Sequence, residues 1–392
     1  MKEQHMNKKA MRIGVASLGR ISEDTGGRNY IEHFFRTLQT IKQPHHFTLF
    51  LSEGEREQLD LGAYPPEIVV INNSKSTPLH KVWGEQFKLR NAIQLAGIDR
   101  MYFPGNFASR NCPVPYVLNV RATTHYYGKA LGIDFTRRFI RKRLMPFSAR
   151  RAAAIITPSE AIKKDVVRFT GALAEKITVI PHGVDTSLFD GKKNRADAEG
   201  LKTLSEFKLE SGKYLLYVSA LWRYKNQDKL IRAHAALVKK KRLQYPLVIA
   251  GLGTGTEKTY LDQLYNLPKS LGTEDLVIFT GQLPQSKLRY LYAHARAFIF
   301  PSSYESFGNP IFESWASGIP IATANVHSFP EITGGAAILF DPLDTAAMQL
   351  AMESVSLDEE KRRTLVRLGN ERVRMFSWEL CVRRTLSLLE SV

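Results

Sequence analysis

The sequence predicts an α/β protein of two domains, each built on a parallel sheet. Short apolar runs recur along the chain, long enough for a buried strand and too short for a helix, for example at Met101–Phe103, Leu247–Ala250 and Ala297–Phe300. Segments with helical apolar spacing lie between most of these runs, and that alternation builds βαβ units. The 392 residues exceed what one hydrophobic core usually organises, so two domains of similar size are expected.

In the first half, strands are predicted at Met11–Ser17, Phe47–Leu51, Glu67–Ile71, Met101–Phe103, Tyr116–Val120, Ala153–Thr157 and Ile177–Ile180. Helices are predicted over Tyr30–Leu38, Trp83–Leu95 and Ala161–Phe169, the last capped at Ser159-Glu160 behind Pro158. The loop Leu18–Thr25 leads from the first strand into Gly26-Gly27. Strand, glycine-rich loop, helix is a geometry that brings main-chain N–H groups up to an anion. Asn119 to His125 follows the fifth strand, and loops at the carboxyl ends of parallel strands line ligand crevices. Gly183, just after the last strand of this half, reads as a backbone turn residue. Thr186–Gly212 is polar and weakly patterned, and is expected to be a linker with one short helix.

In the second half, strands are predicted at Tyr214–Ser219, Leu247–Ala250, Leu276–Phe279, Ala297–Phe300, Ile319–Thr323 and Ala337–Phe340. A helix follows from Gln227 to Lys240, the pattern is helical from Asp344, and an amphipathic helix runs from Phe376 to Leu389. The first of these strands runs into Arg223-Tyr224-Lys225-Asn226, and a basic pair in a strand-to-helix loop suits a diphosphate. The second ends in Gly251-Leu252-Gly253, which lets the backbone turn tightly beside a ligand. The expected domains are residues 1–185 and 186–375, with 376–392 as a separate helix.

Ala297–Ser317 carries the most chemistry. The strand is followed by turn residues Pro301–Tyr304, and Gly308-Asn309-Pro310 starts a helix in which Ile311, Phe312 and Trp315 form the buried face. Glu305 lies in the loop and Glu313 on the helix. N–H groups around Phe307 to Asn309 and the positive helix end favour an anion, while a carboxylate accepts two hydroxyl hydrogen bonds at once. The combination fits a polyhydroxyl ligand that also carries phosphate. Taken singly, either glutamate reads more simply as a solvated surface residue.

The order of residues around them is more specific. Pro301-Ser302, Glu305, Phe307-Gly308, Pro310, Glu313, Ala316, Gly318, Pro320-Ile321-Ala322 and Pro330-Glu331 resemble the signature of glycosyltransferase family 4, with Ser306 where the family has glycine. Ile180 to Asp185 resembles the family's Pro-Asn-Gly-Val-Asp with His182 for Asn, and Lys225-Asn226 resembles its Lys-Gly/Asn. The resemblance covers nearly the whole chain and implies the GT-B fold: two Rossmann-like domains facing across a cleft, acceptor in the first, donor in the second, and a C-terminal helix crossing back to the first domain. It implies a retaining transferase that moves a hexose from a nucleotide sugar to a glycan or lipid-linked acceptor hydroxyl in polysaccharide biosynthesis. By the same resemblance Glu305 contacts the donor sugar, Glu313 the ribose, and Arg223 and Lys225 the leaving phosphates. Gly26, Gly27 and Gly251 line the donor cleft, and Thr280 to Pro284, with Leu283, forms the base-binding turn. Family members place a His-Asp pair after the fifth strand; here Arg121-Ala122 stands there with His125 four residues on, and both Arg121 and His125 are candidates to approach the reacting centre. The loop Ala324–Glu331 looks closest to mannosyl- and rhamnosyl-type members, which favours GDP-mannose over a UDP-hexose.

Composition narrows the alternatives. The chain holds no Asp-x-Asp pair, so neither a metal nor another cofactor is expected. Two cysteines argue against a disulfide framework. No run of 18 apolar residues exists, and Met1–Ala10 lacks the apolar core of a secretory signal, so a cytoplasmic protein is expected, peripheral at the inner membrane face. The net charge of +17 leans to the first half, where Arg137, Arg138, Arg141, Lys142, Arg143, Arg150 and Arg151 meet no acid between Asp134 and Glu160. This patch suits an anionic membrane surface or a phosphorylated acceptor; a solvated basic helix face is the simpler reading. No nucleic-acid-binding motif accompanies it. Two other classes fit parts of the pattern: a nucleotide-sugar epimerase of the same architecture, which would need no acceptor, and a basic membrane- or nucleic-acid-binding protein.

Overall fold

The structure is a computed structural model that describes residues 10–17, 25–71, 88–128, 135–253 and 256–392. It divides into two compact units. One joins the chain up to Gly183 with Trp378–Val392, and the other is Val184–Ser377.

The first unit is a seven-stranded sheet of β1 (Arg12–Ser17), β2 (His46–Ser52), β3 (Glu67–Ile71), β4 (Arg100–Phe103), β5 (Tyr116–Asn119), β6 (Ala154–Thr157) and β7 (Ile177–Val179). Every pairing is parallel, in the order β3-β2-β1-β4-β5-β6-β7. Helices on both faces explain the sequence pattern: β5 and β6 are buried at every residue, whereas edge strand β3 exposes Glu67 and Val70.

The second unit is a six-stranded parallel sheet of β8 (Leu215–Val218), β9 (Leu247–Ala250), β10 (Val277–Gly281), β11 (Ala297–Phe300), β12 (Ile321–Ala324) and β13 (Ile338–Phe340), in the order β10-β9-β8-β11-β12-β13. The predicted strands all lie within two residues of these bounds. In both sheets the strand order reverses beside the first strand, between β1 and β4 and between β8 and β11. Loops leaving such a pair run in opposite directions from neighbouring carboxyl ends, and the gap between them is where ligands of parallel sheets bind.

Three expectations need correction. The first helix runs Thr25–Thr40, so Gly26 and Gly27 lie inside its first turn rather than in a loop. First-turn N–H groups lack intrahelical partners, so glycines there interrupt nothing. Thr186–Gly212 is mostly helical: Gly191–Ala196 and Ala198–Glu206 are separate helices, each capped by an aspartate side chain, Asp190 and Asp197. Gly183 answers a close approach rather than a turn, because a side chain there would stand 2.2 Å from the Trp378 main-chain nitrogen. The helix predicted from Trp83 falls partly outside the described residues and is helical over 88–95.

The helix Trp378–Ser391 packs on Thr25–Thr40, and its Cys381, Val382, Leu386 and Leu389 enter the same core as Ile13, Tyr30 and Phe34. Trp378 stacks with both His33 and His182, at 4.9 Å and 6.3 Å between ring centroids, which gives the histidine in the Pro-His-Gly stretch a packing role. No helix among the described residues is long and apolar enough to cross a membrane.

Leu389 is fully buried, so Leu389→Ala should destabilise the first unit by about 2–5 kcal/mol. Urea unfolding followed by fluorescence checks this; an unshifted first transition would mean that the helix is not part of that core.

Candidate active site

The loops leaving β8 and β11 are tied together at the second sheet's switch point. Arg223–Lys225 forms a single 3-10 turn that ends at Asn226 in the left-handed region, φ 57°. The Asn226 side-chain amide donates to the Pro301 carbonyl and to Ser303 Oγ, both at 2.7 Å, and the Ser303 N–H donates to the Tyr224 carbonyl at 2.8 Å. This lacing brings the Lys225 ammonium onto the Glu305 carboxylate as an ion pair whose side chains are only 9% and 14% exposed. The ammonium also lies 5.2 Å from the Tyr224 ring centroid and 5.6 Å from that of Phe300, and ring faces replace part of its lost hydration.

The helix Asn309–Ala316 begins beside this pair. Gly308 precedes it at φ 79°, Pro310 occupies its first turn, and no side chain caps it. A Cβ on Gly308 would come within 2.7 Å of the Phe329 ring, so both conformation and space require glycine. The Phe307 side chain is buried and stacks on Phe312 at 4.4 Å, so its ring belongs to the core, while Asn309 is exposed. Glu313 is not the solvated helix residue that composition suggests. Burial pushes its carboxyl up to about 7, against the opposing effect of the Tyr292 hydroxyl.

The remaining sequence candidates are dispersed. Arg223 turns outward, donates to Glu257 at 3.2 Å and covers the Tyr260 ring at 4.6 Å, so it stands apart from the Lys225–Glu305 pair. Gly251 donates to the Gly281 carbonyl at 2.9 Å, and a Cβ there would meet the Ser219 carbonyl oxygen at 1.9 Å; it lets the ends of β8 and β9 close up. Leu283 is half-buried against the unit's core. Gly26, Gly27 and His125 belong to the first unit, and residues 18–24 of the adjoining loop lie outside the described residues. His125 sits in a one-turn helix, Thr124–Tyr127, rather than an open loop. It is buried against Tyr126, and desolvation, reinforced by Arg141 and Lys142, pushes its imidazole down to about 3, so it is neutral. Its Nε2 has no hydrogen-bond partner among the described residues. Arg121 is half-buried, with Nε donating to the Pro104 carbonyl at 2.8 Å. Asn226 has no role in the site on the sequence reading, although it stands in the Lys225-Asn226 pair that resembles the family's Lys-Gly/Asn; its place immediately before a helix, where a left-handed residue fits, is a second signal. No group of three or more His, Cys, Asp or Glu able to hold a metal occurs among the described residues.

Residues 25–188 match the family described as Glycosyltransferase Family 4, and residues 203–372 match Glycosyl transferases group 1. The chain belongs to glycosyltransferase family 4. Its relatives in sequence include a protein of Escherichia coli named O-antigen chain mannosyltransferase B, 31% identical over 236 residues that make up 60% of this chain and 60% of that protein. They also include the mannosylfructose-phosphate synthase of Agrobacterium fabrum, 30% identical over 246 residues, 61% of this chain and 53% of that protein. The match thus spans little more than half the length of either relative. Two solved structures share the fold. Anabaena HepE in complex with UDP and glucose has a TM-score of 0.74 at 18% identity, over 97% of this chain and 100% of that one. The sucrose-phosphate synthase of Thermosynechococcus elongatus has a TM-score of 0.79 at 17% identity, over 97% and 98%. Two Rossmann-like domains, each on a parallel sheet, with the C-terminal helix in the first, are the fold expected of this family.

The Glu313 environment gives a signed pH effect. Its carboxyl is raised from 4.5 to about 7 by folding, so the folded state favours the neutral form. Stability is therefore lost as pH rises from 4.5 through 7, by about 3 kcal/mol at most. Glu313→Gln should be more stable than the parent at pH 8 and equal to it at pH 4.5. Urea unfolding at both pH values measures the difference, and equal stability at pH 8 would show that the carboxylate is well solvated.

Proposed function

We propose that this chain is a glycosyltransferase that moves a hexose from a nucleotide sugar to a hydroxyl of a glycan or lipid-linked acceptor in polysaccharide biosynthesis. Membership of glycosyltransferase family 4 supports the reaction class. The observation that carries the reading is the Lys225–Glu305 pair at the carboxyl ends of β8 and β11. A buried ion pair is often no more stable than an apolar replacement, so fold stability alone does not account for it. A nucleotide sugar needs both partners: a cation for the diphosphate and a carboxylate for sugar hydroxyls.

In this reading the bond from the anomeric carbon to the diphosphate oxygen breaks and a bond to the acceptor oxygen forms, with retention of configuration. Negative charge grows on the leaving diphosphate. Lys225 and the N–H groups at the start of the helix Asn309–Ala316 stabilise that charge, each such contact contributing about 3 kcal/mol; Arg223 would join them only by leaving Glu257. The acceptor proton passes to the leaving diphosphate and departs with it. Glu305 then contacts the donor sugar rather than serving as the base. Glu313 accepts from the ribose hydroxyls, and no metal is assigned to the step.

GDP-mannose is the favoured donor, supported by the loop Ala324–Glu331 and by the name of the E. coli mannosyltransferase. The helix Phe135–Arg151 supports a lipid-linked acceptor at an anionic surface: residues 135–159 contain no acid, and Arg143 covers the exposed ring of Phe139 at 4.9 Å. The side chains of Arg137 and Arg138 lie outside the described residues.

Thermal unfolding with GDP, UDP or ADP, each in EDTA, tests the donor. A nucleotide at a hundred times its dissociation constant adds about 2.7 kcal/mol. GDP should give the largest rise in Tm; a larger rise with UDP would move the donor to a UDP-hexose, and no rise at millimolar concentration would remove the nucleotide-sugar reading. In folded protein, Glu305→Gln and Lys225→Ala should each lower turnover by about a hundredfold or more, the scale of one lost transition-state contact. Turnover near that of the parent would sink the site assignment.

A further inference from the structure

The segment after β12 holds the Glu305 loop with three consecutive residues. Phe329 fills the space beside Gly308, as described above. Ser328 Oγ donates to the Glu305 main-chain carbonyl at 3.0 Å, and His327 Nδ1 lies 2.9 Å from the same oxygen. A carbonyl oxygen only accepts, so Nδ1 must carry the proton, and the histidine tautomer is set. The two donors use both lone pairs of that carbonyl, whose role is then to fix the Glu305 main chain rather than to meet a ligand. The imidazole also packs on the buried ring of Tyr304, at 4.6 Å between centroids.

The conformation of His327 sharpens the point. It stands at φ 48°, in the left-handed region, which after glycine is entered most readily by asparagine, aspartate and histidine. Among the residues that accept this conformation, histidine adds a ring: one edge holds the Glu305 carbonyl and the ring packs, tilted by 41°, against Tyr304. Glu305 is thereby gripped from its main chain by His327 and Ser328, and at its carboxylate by Lys225.

We propose that His327 is a positioning residue for Glu305, and that donor turnover depends on its Nδ1–H. The proposal rests on the reading of Glu305 given above and adds a residue from a different loop. Asparagine is the informative substitution. It tolerates the left-handed region, and its amide nitrogen stands as many bonds from the main chain as Nδ1 does. Glutamine places its amide one carbon too far out, and alanine offers no donor.

The test uses the full chain with GDP-mannose and, separately, UDP-glucose, following release of the nucleoside diphosphate with water as acceptor and nucleotide affinity by calorimetry. His327→Ala should lower kcat by about tenfold or more while donor KM stays within about threefold, because misplacing a reacting group by 1 Å costs up to about a hundredfold. His327→Asn should restore the rate to within about threefold of the parent, and adding His327→Ala to Glu305→Gln should slow that variant no further, since the histidine acts through Glu305. Where the alanine protein fails to fold, the comparison of His327→Asn (active) with His327→Gln (impaired) decides. The proposal is overturned if alanine leaves kcat within twofold, if asparagine is as slow as alanine, or if asparagine and glutamine are equal, in a background where Glu305→Gln is inactive. Parental turnover by Glu305→Gln would instead overturn the reading of Glu305, and this proposal with it.

Discussion

The site depends on a lysine and a glutamate that hold each other almost out of water. Neither charge would be stable there alone, since an uncompensated buried ion costs several kcal/mol. Their meeting is a consequence of strand order. Lys225 follows β8 and Glu305 follows β11, 80 residues later, and the sheet makes those two strands neighbours. Asn226 then ties the two loops with a pair of short hydrogen bonds, so the ion pair is imposed by main-chain geometry rather than found by two flexible side chains. The uncapped start of Asn309–Ala316 and the desolvated carboxyl of Glu313 are placed by the same crossover from β11.

Most of the fold was legible because parallel strands buried on both faces leave a plain mark. Runs such as Ala297–Phe300 and Leu247–Ala250 have no polar residue to interrupt them, and their lengths exclude helices. What the pattern could not convey was local capping. Thr186–Gly212 looked like linker because its residues are polar, yet Asp190 and Asp197 each accept main-chain N–H bonds and start a helix on a surface where polarity is no obstacle. Gly183 was legible as a special position but not for its reason: the backbone it makes room for, at Trp378, is nearly 200 residues away in sequence, and no local pattern records that approach.

The candidate site was legible in its residue types and less so in its geometry. The order of residues from Pro301 to Glu331 pointed to Glu305, Gly308 and Glu313, and Lys225 followed from a basic loop after a strand. Sequence spacing could not tell that Lys225 turns inward while Arg223, two residues earlier in the same turn, faces Glu257 and Tyr260. Direction in a tight turn changes too quickly for spacing to fix. Nor could it tell that the Phe307 ring is core while its main chain borders the helix start. His125 illustrates the opposite error. In the sequence it reads as a loop histidine able to approach the reacting centre, whereas it sits in a one-turn helix and burial there holds it neutral.

The helix Trp378–Ser391 has a consequence for how the chain is made. The core of the first unit includes Val382, Leu386 and Leu389, which are synthesised about two hundred residues after β7. During translation the sheet β1–β7 emerges early and must wait, its apolar surface incompletely covered, while Val184–Ser377 is added. That second segment is continuous and can close its own core as it leaves the ribosome. The unit synthesised first is thus the unit completed last, and its apolar surface stays partly uncovered over the interval between the two.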